Sequence, residues 1–125
     1  MEEAKFYLCD RCGNLLVMIE KKCCTPHCCG EEMRLLVANS KDAALEKHVP
    51  EVTILEDRIE VVVGSVIHPM LPEHHIAFIA LQGEDGSLQI QKLNPGEAPK
   101  ATFRKVEHGI AFEYCNLHGL WKKEF

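Results

Sequence analysis

Ile76-Ala77-Phe78-Ile79-Ala80-Leu81, then Gly83-Glu84-Asp85-Gly86, then Leu88-Gln89-Ile90-Gln91-Lys92-Leu93: this stretch decides the fold class. Two apolar runs of strand length flank a turn of glycine and acidic residues, which is a hairpin signal. In the second run Leu88 and Ile90 alternate with polar residues, which predicts a strand with one buried face. Upstream, Val52-Thr53-Ile54-Leu55 and Ile59-Glu60-Val61-Val62-Val63 flank the turn Glu56-Asp57-Arg58. Downstream, Asn94-Pro95-Gly96 closes the hairpin, and Ala101-Thr102-Phe103 and Ile110-Ala111-Phe112-Glu113-Tyr114 follow. Short strands at this spacing, without long helices, predict a mainly β chain. Its larger part, residues 38–125, should be an antiparallel β-sandwich of immunoglobulin-like size.

Residues 1–37 read differently. Short apolar runs (Phe6-Tyr7-Leu8, Leu15-Leu16-Val17-Met18-Ile19, Met33-Arg34-Leu35-Leu36-Val37) are separated by cysteines. Cys9-Asp10-Arg11-Cys12-Gly13 is a C-x-x-C knuckle, and Cys28-Cys29-Gly30 offers a second thiol pair. Four thiolates at such spacing form a tetrahedral all-sulfur site for zinc or iron. Gly13 and Gly30 follow the pairs, where a positive φ turns backbone amides toward the sulfurs. The apolar area is too small to fold unaided, so a metal-stapled module is expected. Disulfides fit less well, because seven cysteines leave one unpaired, and adjacent cysteines rarely bond to each other without strain. Asn39-Ser40-Lys41-Asp42 is a polar boundary, and Ala43-Ala44-Leu45 should make one helical turn before a Glu46-Lys47-His48 loop.

Four histidines and a cysteine stand in turn-rich pieces of the larger part. His48 lies in Glu46-Lys47-His48-Val49-Pro50, His68 in His68-Pro69-Met70 with His74 just beyond, and Cys115 and His118 in Cys115-Asn116-Leu117-His118-Gly119. Neutral imidazole and thiolate bind mid-to-late transition metals. Five such donors exceed the four of a closed zinc site and ask for a five-coordinate metal with one open face. His27, His75 and His108 are expected as ordinary core or surface residues, and Met33, Met70 and Trp121 as packing.

The 125 residues are 46% apolar, ordinary for a globular protein, and carry a formal net charge of −5, which argues against nucleic acid as partner. No apolar run approaches the roughly 20 residues of a membrane span. Met1-Glu2-Glu3-Ala4-Lys5 opens acidic and no apolar signal core follows. With reduced cysteines, that predicts a cytoplasmic protein.

The motifs occur in a fixed order: Tyr7-x-Cys9-x-x-Cys12-Gly13-Asn14, Cys28-Cys29-Gly30-Glu31-x-Met33, Glu46-Lys47-His48-Val49-Pro50, Gly64-Ser65-Val66-x-His68-Pro69-Met70, and Glu113-Tyr114-Cys115-Asn116-Leu117-His118-Gly119-x-Trp121-Lys122. From about Phe6 to Lys122 the chain resembles the desulfoferrodoxin family, the two-iron superoxide reductases. The resemblance implies a rubredoxin- or desulforedoxin-like Fe(Cys)4 domain, its iron on Cys9, Cys12, Cys28 and Cys29. It implies a second iron on equatorial His48, His68, His74 and His118 and axial Cys115, with an open sixth position. The implied activity is one-electron reduction of superoxide to hydrogen peroxide, a detoxification under oxidative stress, with re-reduction by a donor such as rubredoxin. Lys47 would add positive charge and orient the water that delivers protons, and Glu46 would close the sixth position on ferric iron. A homodimer is the expected assembly.

Three features depart from the family pattern. Cys23-Cys24 is an extra adjacent pair, although the interval from Cys12 and the following Gly-Glu-x-Met favour Cys28 and Cys29 as ligands. His75 stands where relatives often carry an aromatic residue, and Leu120 where they often carry histidine. Two rival readings remain: a zinc-ribbon interaction module, and a rubredoxin-like electron carrier without superoxide chemistry. The first leaves the five later donors unexplained; the second has no use for an open histidine site.

Overall fold

Ile59, Val61 and Val63 alternate with Glu60 and Val62, and that period of two makes one face of a strand apolar. In the computed structural model these three residues are fully buried while Val62 is exposed. The structure describes residues 1–41, 45–66 and 68–125, apart from the side chains of residues 45 and 46. The chain divides into two compact units, Met1–Val37 and Ala38–Phe125.

In the first unit β1 (Lys5–Leu8) lies between β2 (Leu15–Met18) and β5 (Arg34–Leu35), antiparallel to both. A ribbon of β3 (His27–Cys28) and β4 (Glu31–Glu32) completes it. Its apolar core is Tyr7, Cys9 and Met33, with Met18 and Cys28 packed against them. Two of those five residues are cysteines, so a metal on the sulfurs would sit against the core and add to a very small burial. The ion pairs Arg11–Glu31 and Arg34–Asp10 are exposed on both sides and contribute little.

The second unit is a sandwich. β6 (Pro50–Ile54), β7 (Arg58–Val63) and β10 (Lys100–Arg104) form a sheet in the order β10-β7-β6. β8 (Ile76–Gly83), β9 (Leu88–Lys92), β11 (Gly109–Cys115) and β12 (Gly119–Glu124) form the other, in the order β12-β11-β8-β9. All strand pairs are antiparallel. The core joins β7 (Ile59, Val61, Val63), β8 (Ile76, Ile79, Leu81), β10 (Ala101, Phe103) and β11 (Ala111, Cys115). The end of β11 that carries Cys115 therefore starts from a strand buried along its whole length. No described helix is long and apolar enough to cross a membrane.

The structure corrects two local expectations and adds strands the sequence did not announce, β3 and β4 in the first unit and β12 in the second. Ile90 is 50% exposed: β9 is the edge of its sheet, beside β8 alone, and its apolar positions are only partly covered. The expected Glu46-Lys47-His48 loop is itself the helical turn, α1 (Leu45–His48). The turn expected at Ala43 and Ala44 lies outside the described residues. β12 was not anticipated, because Leu120 and Trp121 are both buried and break the alternation that announces a strand.

Candidate metal centres

Each donor of the larger unit is fixed by a different piece of backbone. His48 ends α1, just before β6. His68 precedes Pro69, whose carbonyl oxygen lies 2.7 Å from His68 Nδ1. The proton on Nδ1 donates to that carbonyl, leaving the Nε2 lone pair free for a metal. His74 closes a tight turn with Leu71, through Leu71 N–H to His74 O (2.9 Å) and His74 N–H to Leu71 O (3.1 Å). Cys115 ends β11, and Asn116-Leu117-His118 loops to Gly119, its pairing partner on β12. Gly119 has φ +81°, and a Cβ there would press on Lys41 Cγ at 3.3 Å. Glycine suits this turn on both counts.

Asn116 ties two of these pieces together. Its Oδ1 accepts from His75 N–H at 2.8 Å, its Nδ2 donates to the Glu73 carbonyl at 3.1 Å, and its own N–H donates to His75 O at 3.2 Å. The backbone on both sides of His74 is thus fastened to the loop that carries Cys115 and His118. β8 and β11 also change register here: Tyr114 pairs with Phe78 but Cys115 with Ile76, so Ala77 is an extra residue. Such a bulge bends the strand and re-aims its neighbours beside a site.

The five side chains come together. One donor atom from each of His48, His68, His74, Cys115 and His118 lies within 4.8 Å of the others. The four rings form a closed cycle of near-perpendicular neighbours: His48 to His68 (78°), His68 to His74 (80°), His74 to His118 (77°) and His118 to His48 (83°). His48 Nε2 is 3.2 Å from His68 Nε2 and 3.0 Å from His118 Nδ1, and Cys115 Sγ is 3.9 Å from His118 Nδ1. Trp121, fully buried, stacks on His48 at 5.1 Å between centroids and donates its indole N–H to the His118 carbonyl at 3.1 Å.

The electrostatics suit a cation. Burial lowers His68 to about 4, against the opposing bond to Pro69. Burial also lowers His74, followed by the charges of His118 and Lys47. Both rings are therefore neutral at physiological pH, the form that ligates metal. Cys115 is raised by burial, while the N–H groups of His118 and Leu117 pull the other way. His74 Nε2 is buried without a hydrogen-bond partner. A metal ion would satisfy that orphan nitrogen and give a buried thiolate its counter-charge.

Cys9, Cys12, Cys28 and Cys29 form the other group, their sulfurs within 4.8 Å of one another. Cys12 N–H donates to Cys9 Sγ at 3.5 Å, and Asn14 Nδ2 donates to Cys28 Sγ at 3.6 Å. Gly13 and Gly30 have φ +83° and +77°, and Cys29 itself has φ +54°. Cys9 is lowered to about 7, chiefly by the Cys12 amide, whereas Cys29 is pushed up to about 12 by its hydrogen bonds with Cys12, Cys28 and Cys9. Four sulfurs this close cannot all ionise unless a cation stands among them. Cys23 and Cys24 join neither group.

A family model described as Desulfoferrodoxin matches residues 40–124. The chain belongs to the desulfoferrodoxin family. A desulfoferrodoxin of Clostridium acetobutylicum is 41% identical over 122 residues, covering 98% of this chain and 97% of that one. A superoxide reductase of Thermococcus kodakarensis is 40% identical over 98 residues, covering 63% of this chain and 85% of its own. The crystal structure of the superoxide reductase from Treponema pallidum superposes with a TM-score of 0.80 at 32% identity, covering 97% of both chains. For a chain of this family, the histidine–cysteine and four-cysteine groups fit two iron centres.

Lys47, in α1, is exposed, and its charge reaches His74. The role expected for Glu46 rests on a side chain outside the described residues. Sequence reasoning passed over Asn116 and Asn14. Both stand inside quoted motifs, and an amide that donates and accepts at once is suited to fastening loops.

Proposed function

We propose that this chain is a superoxide reductase: superoxide gains one electron and two protons and leaves as hydrogen peroxide. The observation that carries the reading is the closed ring of four imidazoles with a buried thiol against it. His48, His68, His74, His118 and Cys115 would hold the catalytic iron, and Cys9, Cys12, Cys28 and Cys29 the other. Bound as ferrous ion, the first metal supplies the electron and a Lewis-acidic open position.

The protein's part is to hold, tune and attract. Around a ferrous ion, four neutral imidazoles and one thiolate would leave a net positive charge, which would favour an anionic substrate despite the overall −5. Screening over a Debye length of roughly 8 Å leaves the local field in control. The Lys47 ammonium adds to it, and its Nζ protons can orient the water that delivers protons to the product. As a thiolate, Cys115 would hold the metal and push electron density toward it, restrained by the N–H groups of His118 and Leu117 that face the sulfur. Trp121 covers one face of His48 and keeps water from it. Lys47 is the residue we assign to substrate attraction and proton delivery, and Glu46 the one that closes the open position after turnover. An external one-electron donor of rubredoxin type completes the cycle, in the cytoplasm and in a homodimer.

The test joins metal content to reactivity. The account expects two irons per chain, an all-sulfur and a histidine–thiolate chromophore, and oxidation of only the second on mixing the ferrous protein with superoxide. Zinc in both sites, or a histidine–thiolate centre inert to superoxide, would leave a rubredoxin-like carrier or a ribbon module instead.

A further inference from the structure

Cys23 and Cys24 lie between β2 and β3, outside both ligand groups. Both are free and exposed, and their Sγ atoms are 2.9 Å apart, inside the van der Waals separation of two sulfurs. No third histidine, cysteine or carboxylate among the described residues joins them, and two donors fall short of the four that a zinc site uses. The other five cysteines are committed to the two ligand groups. Lys21 and Lys22 precede the pair, making its surroundings locally positive in an acidic chain.

We propose that Cys23–Cys24 is a peroxide-oxidisable vicinal dithiol, closing to a disulfide with hydrogen peroxide and reopening with a thiol reductant. That peroxide arises in the protein's own reaction rests on the function proposed above; the dithiol chemistry does not. In the first step one sulfur of the pair attacks one peroxide oxygen. An S–O bond forms, the O–O bond breaks, and hydroxide leaves to become water. In the second step the other sulfur displaces the hydroxyl from the sulfenic acid, forming the S–S bond and releasing a second water. Two thiols lose two electrons and two protons, and one peroxide becomes two waters.

Cys24 is raised, first by its hydrogen bond with Cys23 and then by burial, with Lys21 opposing. A disulfide between adjacent residues closes a small, strained ring, and strained, exposed disulfides are the easily reduced ones. The pair is thus suited to reversible use: a two-electron sink for peroxide within the small unit.

The test adds peroxide directly to iron-loaded protein, so a failure of superoxide reduction cannot imitate a failure here. After a few equivalents of hydrogen peroxide, alkylation and mass spectrometry should show the chain lighter by two hydrogens. Cys23 and Cys24 should resist alkylation, the all-sulfur absorption should persist, and dithiothreitol should restore both thiols. In Cys24→Ser the mass loss should vanish, and dimedone should trap a sulfenic acid at Cys23. Cys23 and Cys24 remaining fully alkylatable would overturn the proposal. So would a first disulfide that involves Cys28 or Cys29 with loss of colour, or protection from alkylation by bound zinc without the mass loss.

Discussion

At the scale of single residues, three side chains separate binding from chemistry. Cys115 is fully buried at the end of a strand whose other residues supply the core, so Cys115→Ser should fold. It should nevertheless lose the thiolate charge-transfer band and superoxide reduction, a pair of results that visible spectroscopy and stopped flow read together. Lys47 is exposed and ligates nothing. Lys47→Ala should assemble the iron site normally yet react on the order of tenfold more slowly, with a flatter dependence on salt, because steering charge acts on association. Equal rates, or equal salt slopes, would remove Lys47 from the account. Glu113 is fully buried with both carboxylate oxygens unpartnered, and burial raises its pKa well above the ordinary value. A raised carboxyl gives up stability as pH climbs from its unfolded value through its folded one, since the unfolded chain releases the proton first. Glu113→Gln cannot ionise. It should be more stable than wild type at pH 8, with the advantage shrinking toward pH 4, as urea midpoints would show; a pH-independent difference would contradict this.

At the scale of elements, the site depends on how loops are tied to strands. Asn116→Ala removes two side-chain hydrogen bonds, worth about 1 kcal/mol each, and frees the His74 turn from the Cys115–His118 loop. The catalytic iron should then be lost to a chelator several-fold faster while the all-sulfur iron stays, and Asn116→Asp should recover only the half of the clamp that accepts from His75. Loss of both irons together would mean the change acts on folding rather than on His74. This scale is also where the sequence said least. Alternation made β7 plain, because Ile59, Val61 and Val63 keep strict period. It misjudged β9, because periodicity records which residues are apolar and not whether a sheet edge leaves them uncovered. It missed β12, where buried Leu120 and Trp121 are consecutive. The Asn116 clamp could not be read at all, since its partners are backbone atoms more than forty residues away. The donors themselves were legible, because cysteine and histidine in turn-rich motifs have few other uses.

At the scale of the whole molecule, two compact units each gather one donor group. The four-cysteine group meets the small unit's own core through Cys9 and Cys28, and the histidine–cysteine group grows from the sandwich. We expect Cys29→Ser to abolish or perturb the all-sulfur iron while reduction of superoxide by pre-reduced protein continues, and Cys23→Ser to leave both irons in place. Loss of the small unit's iron in Cys23→Ser would reverse the choice of ligands. The central claim is that the ferrous histidine–thiolate centre reduces superoxide rather than dismutating it. The most direct measurement is the peroxide yield when fully ferrous protein meets limiting superoxide in a single fast-mixing turnover, with no donor present. The account predicts one hydrogen peroxide for each superoxide consumed, no dioxygen, and oxidation of one histidine–thiolate iron per peroxide formed. One peroxide for every two superoxides, with dioxygen evolved and the iron still ferrous, would contradict it.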